Sequence, residues 1–287
     1  MEKIPSLKEQ WNSVIEKKLK AGQSLDDLLV EYEDGITIMP NIVSEEILDI
    51  DQHLDLSSAW VNMARIPNDT DVEMNRLIHL ALNQGANGLV LDLKASNDYQ
   101  NVLDGVMTEY LDIIVKSDNE IALDTYKHPN VTVVINDNDQ IVELPRNEKI
   151  SAFRALRDQL DNDKPLFFSI SVSKDLLFEI AFLRAVRLYL QEAKFKDVKL
   201  YGRFDVEGTN ELGDYNLIEK TYKTMSIIIG GADAVISNYK GDEDSRLTLN
   251  IQNILDLESS FKQVMDPTKG AYYIEMLTSK ILERLKG

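Results

Sequence analysis

From Trp60 to the end of the chain, short apolar segments alternate with segments of helical periodicity. Seven of the apolar segments are nearly continuous runs, which is typical of parallel strands buried on both faces. They are WVNMARI, GANGLVLDL, YLDIIV, VTVVIND, LFFSISV, DVKLYGRF and ADAVISNY. Repeated strand-helix units over roughly 230 residues predict an α/β fold with a parallel sheet. An open doubly wound sheet and a closed (β/α)8 barrel both fit this pattern, and the pattern alone does not decide between them.

A closed barrel needs an eighth strand, for which the sequence offers two weak candidates, EIALDTY and QIVELP. The helices are clearer. In DLLFEIAFLRAVRLYLQEA an apolar stripe runs from Phe178 to Tyr189, and we predict Arg184 and Arg187 on a solvated opposite face. A later helix is predicted in DSRLTLNIQNILDLESSF, with its inward face formed by Leu247, Ile251, Ile254 and Leu255.

The first fifty residues differ from the rest and predict an N-terminal helical arm, 1–50, packed on a body, 51–287. Ser6 and Glu9 have the spacing of a capping box at the start of a first helix. A short second helix and an extended segment, EDGITIMPNIV, follow. No Gly/Ser-rich linker or block of charge divides the body, so we expect one domain there.

Composition excludes several classes of function. The 287 residues carry 31 basic and 49 acidic side chains, a formal net charge of -18 that makes nucleic acid and anionic membranes poor partners. The absence of cysteine excludes disulfides, thiolate metal sites and cysteine nucleophiles. His53, His79 and His128 lack ligand spacing, and we expect His79 at the surface. Without a signal-like start or a long apolar run, the chain is expected to be cytoplasmic.

The segment SRLTLNIQNILDLESSFKQVMDPTKGAYYIEMLTSKI carries the most specific pattern. Its Asp-Pro and glycine predict a turn before the last helix. The segment resembles the end of the methylmalonyl-CoA mutase barrel, which reads approximately Arg-Ile-Ala-Arg-Asn-Thr-Gln and then Asp-Pro-x-x-Gly-Ser-Tyr-Tyr-x-Glu-x-Leu-Thr. The residues in register are Arg246, Asn250, Gln252, Glu258, Asp266, Pro267, Gly270, Tyr272, Tyr273, Glu275, Leu277 and Thr278.

Three further segments are similar to the same family. EIAFLRAVRLYL resembles its Glu-Ile-Ala-Lys-Leu-Arg-Ala-x-Arg helix, and NLIEKTYKTMSIIIGGADAV resembles its Asn-x-x-Arg-x-Thr helix before Gly-Gly. The arm is similar to the family's N-terminal segment. The resemblance implies a TIM-type (β/α)8 barrel, either complete or abbreviated, and a barrel without a cobalamin-binding domain.

Members of the family interconvert methylmalonyl-CoA and succinyl-CoA by a radical rearrangement, with adenosylcobalamin as the radical source. Some are heterodimers of a catalytic and an inactive subunit. Active members have a tyrosine in a Thr-Met-Tyr segment and a histidine in a Tyr-His-x-x-Glu-Ala-Gly segment, and neither segment has a counterpart here. Glu219 replaces the arginine of Asn-x-x-Arg-x-Thr. Asp51 and His53 resemble the Asp-x-His-x-x-Gly motif that supplies histidine to cobalt in many cobalamin enzymes, but Leu56 stands where that motif has glycine.

The resemblance therefore identifies no catalytic or metal-binding residue, and Asn238 is the single candidate for contact with the cofactor. We predict a non-catalytic small subunit that binds no cofactor by itself and pairs with a catalytic mutase large subunit, whose complex would use adenosylcobalamin. The alternatives are a barrel that binds acyl-CoA or another small ligand, and a mutase domain that works with a separate cobalamin-binding protein. Whether the chain is an isomerase stays open.

Overall fold

The body of the protein is built on eight parallel strands. The computed structural model describes residues 6–43, 46–47, 54, 59–117, 131–135, 140–161, 164–204 and 213–287. The strands are β1 (Val61–Ile66), β2 (Gly88–Leu93), β3 (Asp112–Ser117), β4 (Val131–Ile135), β5 (Gln140–Leu144), β6 (Leu166–Ser171), β7 (Val198–Phe204) and β8 (Ala234–Asn238). All seven predicted strands are confirmed, each within a few residues of its predicted limits.

The order of these strands is that of a (β/α)8 barrel. The hydrogen-bonded order is β4-β3-β2-β1-β8-β7-β6-β5, so the strands at the two ends of the order follow one another in the chain. Lys116 on β3 lies 2.6 Å from Glu143 on β5, which requires the sheet to curl until its two ends face each other. The sheet is therefore curled like a barrel and is not an open doubly wound sheet, although no ladder among the described residues joins β4 to β5.

The barrel is abbreviated between β4 and β5. Only residues 136–139 connect these two strands. A crossover between parallel strands normally takes a dozen residues or more, usually with a helix, and this connection is much shorter in sequence. β5 is the predicted candidate QIVELP, whereas the other candidate, EIALDTY, lies outside the described residues.

Helices surround the strands wherever the connections are long. They are α1 (Leu7–Glu16) in the arm, and α2 (Asp71–Asn83), α3 (Tyr99–Val102), α4 (Lys149–Arg157), α5 (Leu176–Glu192), α6 (Gly213–Ile229), α7 (Asp242–Leu257) and α8 (Tyr272–Lys286) in the body. Side-chain caps begin several of them; for example, Thr70 accepts from the Glu73 amide before α2, and Asp175 accepts from the Phe178 amide before α5. Within the described residues, none of the helices has the length and apolarity needed to cross a bilayer.

The prediction of a solvated charged face on α5 is wrong. Arg184 is 4% exposed, and its Nη1 donates to Asp266 Oδ1 at 2.6 Å. Arg187 Nη2 donates to the Gly231 carbonyl and to Asp233. α8 and α6 pack on both sides of α5, so side chains opposite the apolar stripe are also covered and need charged partners.

The predicted inward face of α7 is also partly wrong. Ile254 is 53% exposed, whereas Leu249 and Gln252 are buried together with Leu255. The helix is therefore rotated relative to the prediction. Two helices, α2 and α6, flank α7, and their positions set the buried face more strongly than the sequence pattern does.

The N-terminal arm packs on the outside of the barrel. The capping box is confirmed, because the Ser6 hydroxyl accepts from the Glu9 amide and the Glu9 carboxylate accepts from the Ser6 amide. The Tyr32 ring stacks on Phe178 at 5.7 Å, and Ile36 and Ile38 are buried in the main core. The segment from Tyr32 to Ile38 thus anchors the arm, whereas α1 itself has no buried residue.

Candidate functional site

The inner face of the barrel begins with an apolar layer. Met63, Val90, Ile114, Ala234 and Ile236 form a separate buried cluster contributed by β1, β2, β3 and β8. Successive side chains of a strand point to opposite faces, so residues two positions further on point to the same side. At the carboxyl end of the barrel, which we call the mouth, most of those residues are charged. The charged inward side chains at the mouth are Arg65, Asp92, Lys116, Glu143 and Arg203.

The first two of these residues form a two-point ion pair on neighbouring strands. Arg65 Nε lies 2.8 Å from Asp92 Oδ2, and Arg65 Nη2 lies 3.2 Å from Asp92 Oδ1. Such a fork-to-fork contact fixes the orientation of both groups. Only 32% of the Arg65 side chain and 25% of the Asp92 side chain are exposed, so the pair occupies the mouth rather than its rim.

The other three residues form a bridge across the barrel. Glu143 on β5 lies 2.6 Å from Lys116 on β3 and 3.1 Å from Arg203 on β7. Burial alone would raise the pKa of Glu143, but the hydrogen bond and charge of Lys116 and the charge of Arg203 outweigh it and lower the pKa to about 2. Glu143 is therefore ionised at neutral pH and holds the two cations against each other.

The five charged side chains largely neutralise one another. Three cations face two carboxylates, which leaves one positive charge in excess at a mouth that belongs to a strongly acidic chain. In barrels of this type the mouth is where ligands bind and reactions occur. Here most of the charged groups are paired with one another, whereas Arg203 Nε is a buried donor without a hydrogen-bond partner among the described residues. Among the described residues no cluster of three or more histidine or acidic side chains has the arrangement of a metal site.

Asn238, the predicted cofactor-contacting residue, lies at the mouth. It ends β8 directly beside Arg65 of β1 in the strand register, and its side chain is half-buried. Its role toward a cofactor stays a prediction.

Glu219, at the position of the family's arginine, lies outside the barrel interior. Its carboxylate is 2.7 Å from Lys223 and 3.9 Å from Lys174. The hydrogen bond from Lys223 is the main cause that lowers the pKa of Glu219, and the charges of Lys223, Lys174 and Arg146 add to it. The reversed charge at this position thus has its own lysine partners.

The remaining sequence candidates have structural roles or lie outside the described residues. His79 on α2 is half-buried, with Nε2 at 3.0 Å from the Asp104 carbonyl. Tyr272 and Tyr273 begin α8 as predicted, and the Tyr273 hydroxyl is 3.0 Å from the Tyr32 hydroxyl. The motif from Asp51 to His53 lies outside the described residues.

Sequence reasoning missed the charged residues of the mouth, although a signal for them exists. Each of the five stands one residue before the last residue of its strand. A charge near the end of an otherwise apolar strand, repeated over β1, β2, β3, β5 and β7, is the pattern that would have indicated them. Their pairing could not be read from that pattern, because it depends on which strands face each other.

Comparison with known proteins places the similarity in the carboxyl-terminal part of the chain. The family model described as methylmalonyl-CoA mutase matches residues 154–287. The methylmalonyl-CoA mutase of Rhizobium meliloti (strain 1021) is 30% identical over 139 residues, which are 42% of this chain and 20% of that protein. The methylmalonyl-CoA mutase of Escherichia coli (strain K12) is 28% identical over 147 residues, 45% of this chain and 21% of that protein.

A third relative carries the name of a subunit. The methylmalonyl-CoA mutase small subunit of Porphyromonas gingivalis (strain ATCC BAA-308 / W83) is 29% identical over 134 residues, 40% of this chain and 22% of that protein. The chain thus spans about a fifth of the length of these relatives. Among solved structures, the tryptophan synthase subunit alpha from Legionella pneumophila matches at 11% identity and a TM-score of 0.33, over 78% of this chain and 93% of that one.

Proposed function

We propose that the chain is a non-catalytic, small-subunit-like barrel of the methylmalonyl-CoA mutase family. Its partner would be the catalytic subunit of a cytoplasmic adenosylcobalamin-dependent mutase that interconverts methylmalonyl-CoA and succinyl-CoA. The observation that carries the proposal is the mouth of the barrel, where Glu143 bridges Lys116 and Arg203. A mouth filled by paired charges has few free groups with which to bind a substrate or a reacting intermediate.

The proposal assigns no cobalamin to this chain by itself. A bound corrinoid would have to lie against the mouth, and the charged side chains there bond to one another instead of projecting outward. The one histidine among the described residues, His79, lies on α2 against the Asp104 carbonyl and away from the mouth. These residues do not fit the cofactor, so we derive no catalytic step for this chain.

The arm provides a surface that a partner subunit could cover. No residue of α1 is buried, and Leu7 and Val14 are 65% and 50% exposed. Trp11 and Ile15 lie on the same side of the helix and are only half-buried. An amphipathic helix with an uncovered apolar face is typical of a protein interface. The name of the Porphyromonas gingivalis relative, a small subunit, also supports a subunit role.

The test is a titration of the purified chain with a catalytic mutase large subunit, followed by light scattering. We expect a stable one-to-one complex. Val14→Glu should weaken the complex at least about tenfold, since it places a charge in the apolar face of α1. Ser13→Glu adds the same charge on the opposite side of the helix and should leave the affinity unchanged. Absence of association at high concentration would contradict the proposal.

Activity assays separate the two alternatives. Turnover of methylmalonyl-CoA by the chain and adenosylcobalamin alone would contradict a non-catalytic role. Turnover that appears only after addition of a separate cobalamin-binding protein would favour a mutase domain. Saturable binding of an acyl-CoA without association with a mutase subunit would favour a ligand-binding barrel.

A further inference from the structure

The amino-terminal end of the barrel, opposite the mouth, contains a cavity that the proposed subunit role does not use. Its volume is about 510 Å³. Its walls come from the first residues of the strands and from the segments that lead into them. The apolar and aromatic part of the lining is Val61, Met63, Ile114, Pro165, Phe167 and Ala234 together with the ring of Tyr201.

The cavity is blind toward the mouth. Met63 and Ile114 line it, and both are fully or almost fully buried in the apolar layer of the barrel. Arg65 and Lys116 stand two residues further along the same strands, where they take part in the ion pairs of the mouth. A molecule in this cavity must therefore enter and leave through the amino-terminal end.

An aromatic surface forms one wall. The rings of Phe167 and Tyr201 stack with their centroids 6.1 Å apart and an angle of 15° between their planes. Both residues are only half-buried. No described residue hydrogen-bonds the Tyr201 hydroxyl. Aromatic faces attract cations, and the attraction is strongest where water is partly excluded.

The charge around the entrance is negative. Asp112, Asp197 and Asp233 line the cavity with a single cation, Lys199. Arg187 Nη2 lies 3.0 Å from Asp233. When Arg187 is counted together with Lys199, the three carboxylates still leave one net negative charge. Burial, and then the carboxylates of Asp233 and Asp112, raise the pKa of the Tyr201 phenol. The negative charge of these carboxylates therefore acts on a group inside the cavity. The net charge of -18 reinforces it.

From these observations we infer that the cavity binds a small organic cation with an apolar body, such as an arylalkylammonium. The apolar body contacts Met63, Ile114 and Phe167, and the ammonium group lies near Tyr201 and Asp112 at the entrance. Phosphorylated or carboxylated ligands are disfavoured, because the entrance carboxylates and the charge of the whole chain repel them. This inference does not depend on the presence of a partner subunit.

The experiment compares three ligands of the same size on the full chain: benzylammonium, benzyl alcohol and benzoate. Binding is followed by nuclear magnetic resonance of the ligand and by calorimetry at neutral pH and low salt. We expect saturable binding of benzylammonium with a Kd of about 1 mM. Benzyl alcohol should bind about tenfold more weakly, and benzoate should not saturate the chain.

Variants locate the binding. Asp112 is exposed at the start of β3, so Asp112→Asn should fold normally and weaken benzylammonium about fivefold, with no effect on benzyl alcohol. Asp26→Asn removes an equivalent exposed charge in the arm and should change neither Kd. Tyr201→Leu should weaken both ligands, with the fold checked by circular dichroism.

Three outcomes would overturn the inference. They are equal binding of the amine and the alcohol, tighter binding of benzoate or acetyl-CoA than of benzylammonium, and no saturable binding of benzylammonium up to its solubility limit. Loss of benzylammonium binding in Asp26→Asn to the same extent as in Asp112→Asn would also overturn it, because the effect would then reflect net charge.

Discussion

At the mouth of the barrel charged side chains turn inward and pair with one another, whereas at the opposite end they stand around an open cavity. Asp92 and Glu143 each have an arginine or lysine within 3.2 Å. Asp112 and Asp197, at the other end, are exposed to solvent. The Glu143 side chain is still 47% exposed, so the two ends differ in whether cations lie within reach of the carboxylates and not in burial alone. Similar residues thus close one end of the barrel and leave the other available for a ligand.

The largest effect is expected for the most deeply buried charge on the mouth side. Lys149 begins α4, and Glu179 lies in the first turn of α5. Both side chains are 0% exposed, and Lys149 Nζ lies 2.6 Å from Glu179 Oε1. Glu179→Ala would leave the Lys149 ammonium buried without its carboxylate and should lower the free energy of unfolding by about 3–5 kcal/mol. Urea unfolding measures this change.

Glu243→Ala on α7 is the control, because Glu243 also lies 2.6 Å from a cation, Arg246, but the two side chains are 71% and 46% exposed. We expect the free energy of unfolding to change little there, because water screens an exposed ion pair. Equal losses in the two variants would show that burial does not distinguish the two kinds of ion pair.

A smaller effect is expected at the bridge across the mouth. Glu143→Gln should lower the free energy of unfolding by about 1–2 kcal/mol at pH 7, since Lys116 and Arg203 lose their shared carboxylate but keep partial contact with water. The pKa of Glu143 is lowered from 4.5 to about 2 in the folded chain. A lowered pKa stabilises the fold above the unfolded value and ceases to do so as the pH falls through the folded one.

The difference between the wild type and Glu143→Gln should therefore be complete at neutral pH and shrink between pH 4.5 and pH 2. Denaturant unfolding at a series of pH values measures it. A difference that stays constant down to pH 2 would mean that Glu143 does not titrate within the network.

The pair of Arg65 and Asp92 should contribute less, because it lies on adjacent strands that backbone hydrogen bonds already hold together. We expect a coupling energy of about 0.5–1 kcal/mol in a double-mutant cycle of Arg65→Met and Asp92→Asn. The unfolding free energies of the two single variants and the double variant give this value. A coupling of zero would assign the pair a purely geometric role in filling the mouth.

The smallest effect is expected in the cavity. Tyr201→Phe should change the free energy of unfolding by less than about 0.5 kcal/mol, because no described residue bonds its hydroxyl and the stacking on Phe167 is retained. Tyr32→Phe, which removes a hydroxyl 3.0 Å from that of Tyr273, should cost about 0.5–1.5 kcal/mol. Thermal unfolding compares the two. A larger loss for Tyr201→Phe would indicate that the Tyr201 hydroxyl already makes a polar contact in the folded chain.

The fold was largely accessible from the sequence, and the site was not. The runs that became β1 to β4 and β6 to β8 were visible as apolar segments, and the resemblance supplied the barrel. The buried faces of α5 and α7 were predicted only in part, because helical periodicity identifies one apolar face but does not show which neighbouring helices cover the other faces. Arg184 and Ile254 show the two errors: a charge that is buried and an apolar side chain that is exposed.

The sequence by itself determined the local elements and the charges that each strand carries near its end, because backbone preference and side-chain period act between residues close in the chain. The tertiary structure decided which charges meet. Lys116, Glu143 and Arg203 are 27 and 60 residues apart and come together only because the sheet curls until β3, β5 and β7 face one another. The paired mouth and the open cavity lie on the same inward face of the sheet. They differ only in their height along the barrel.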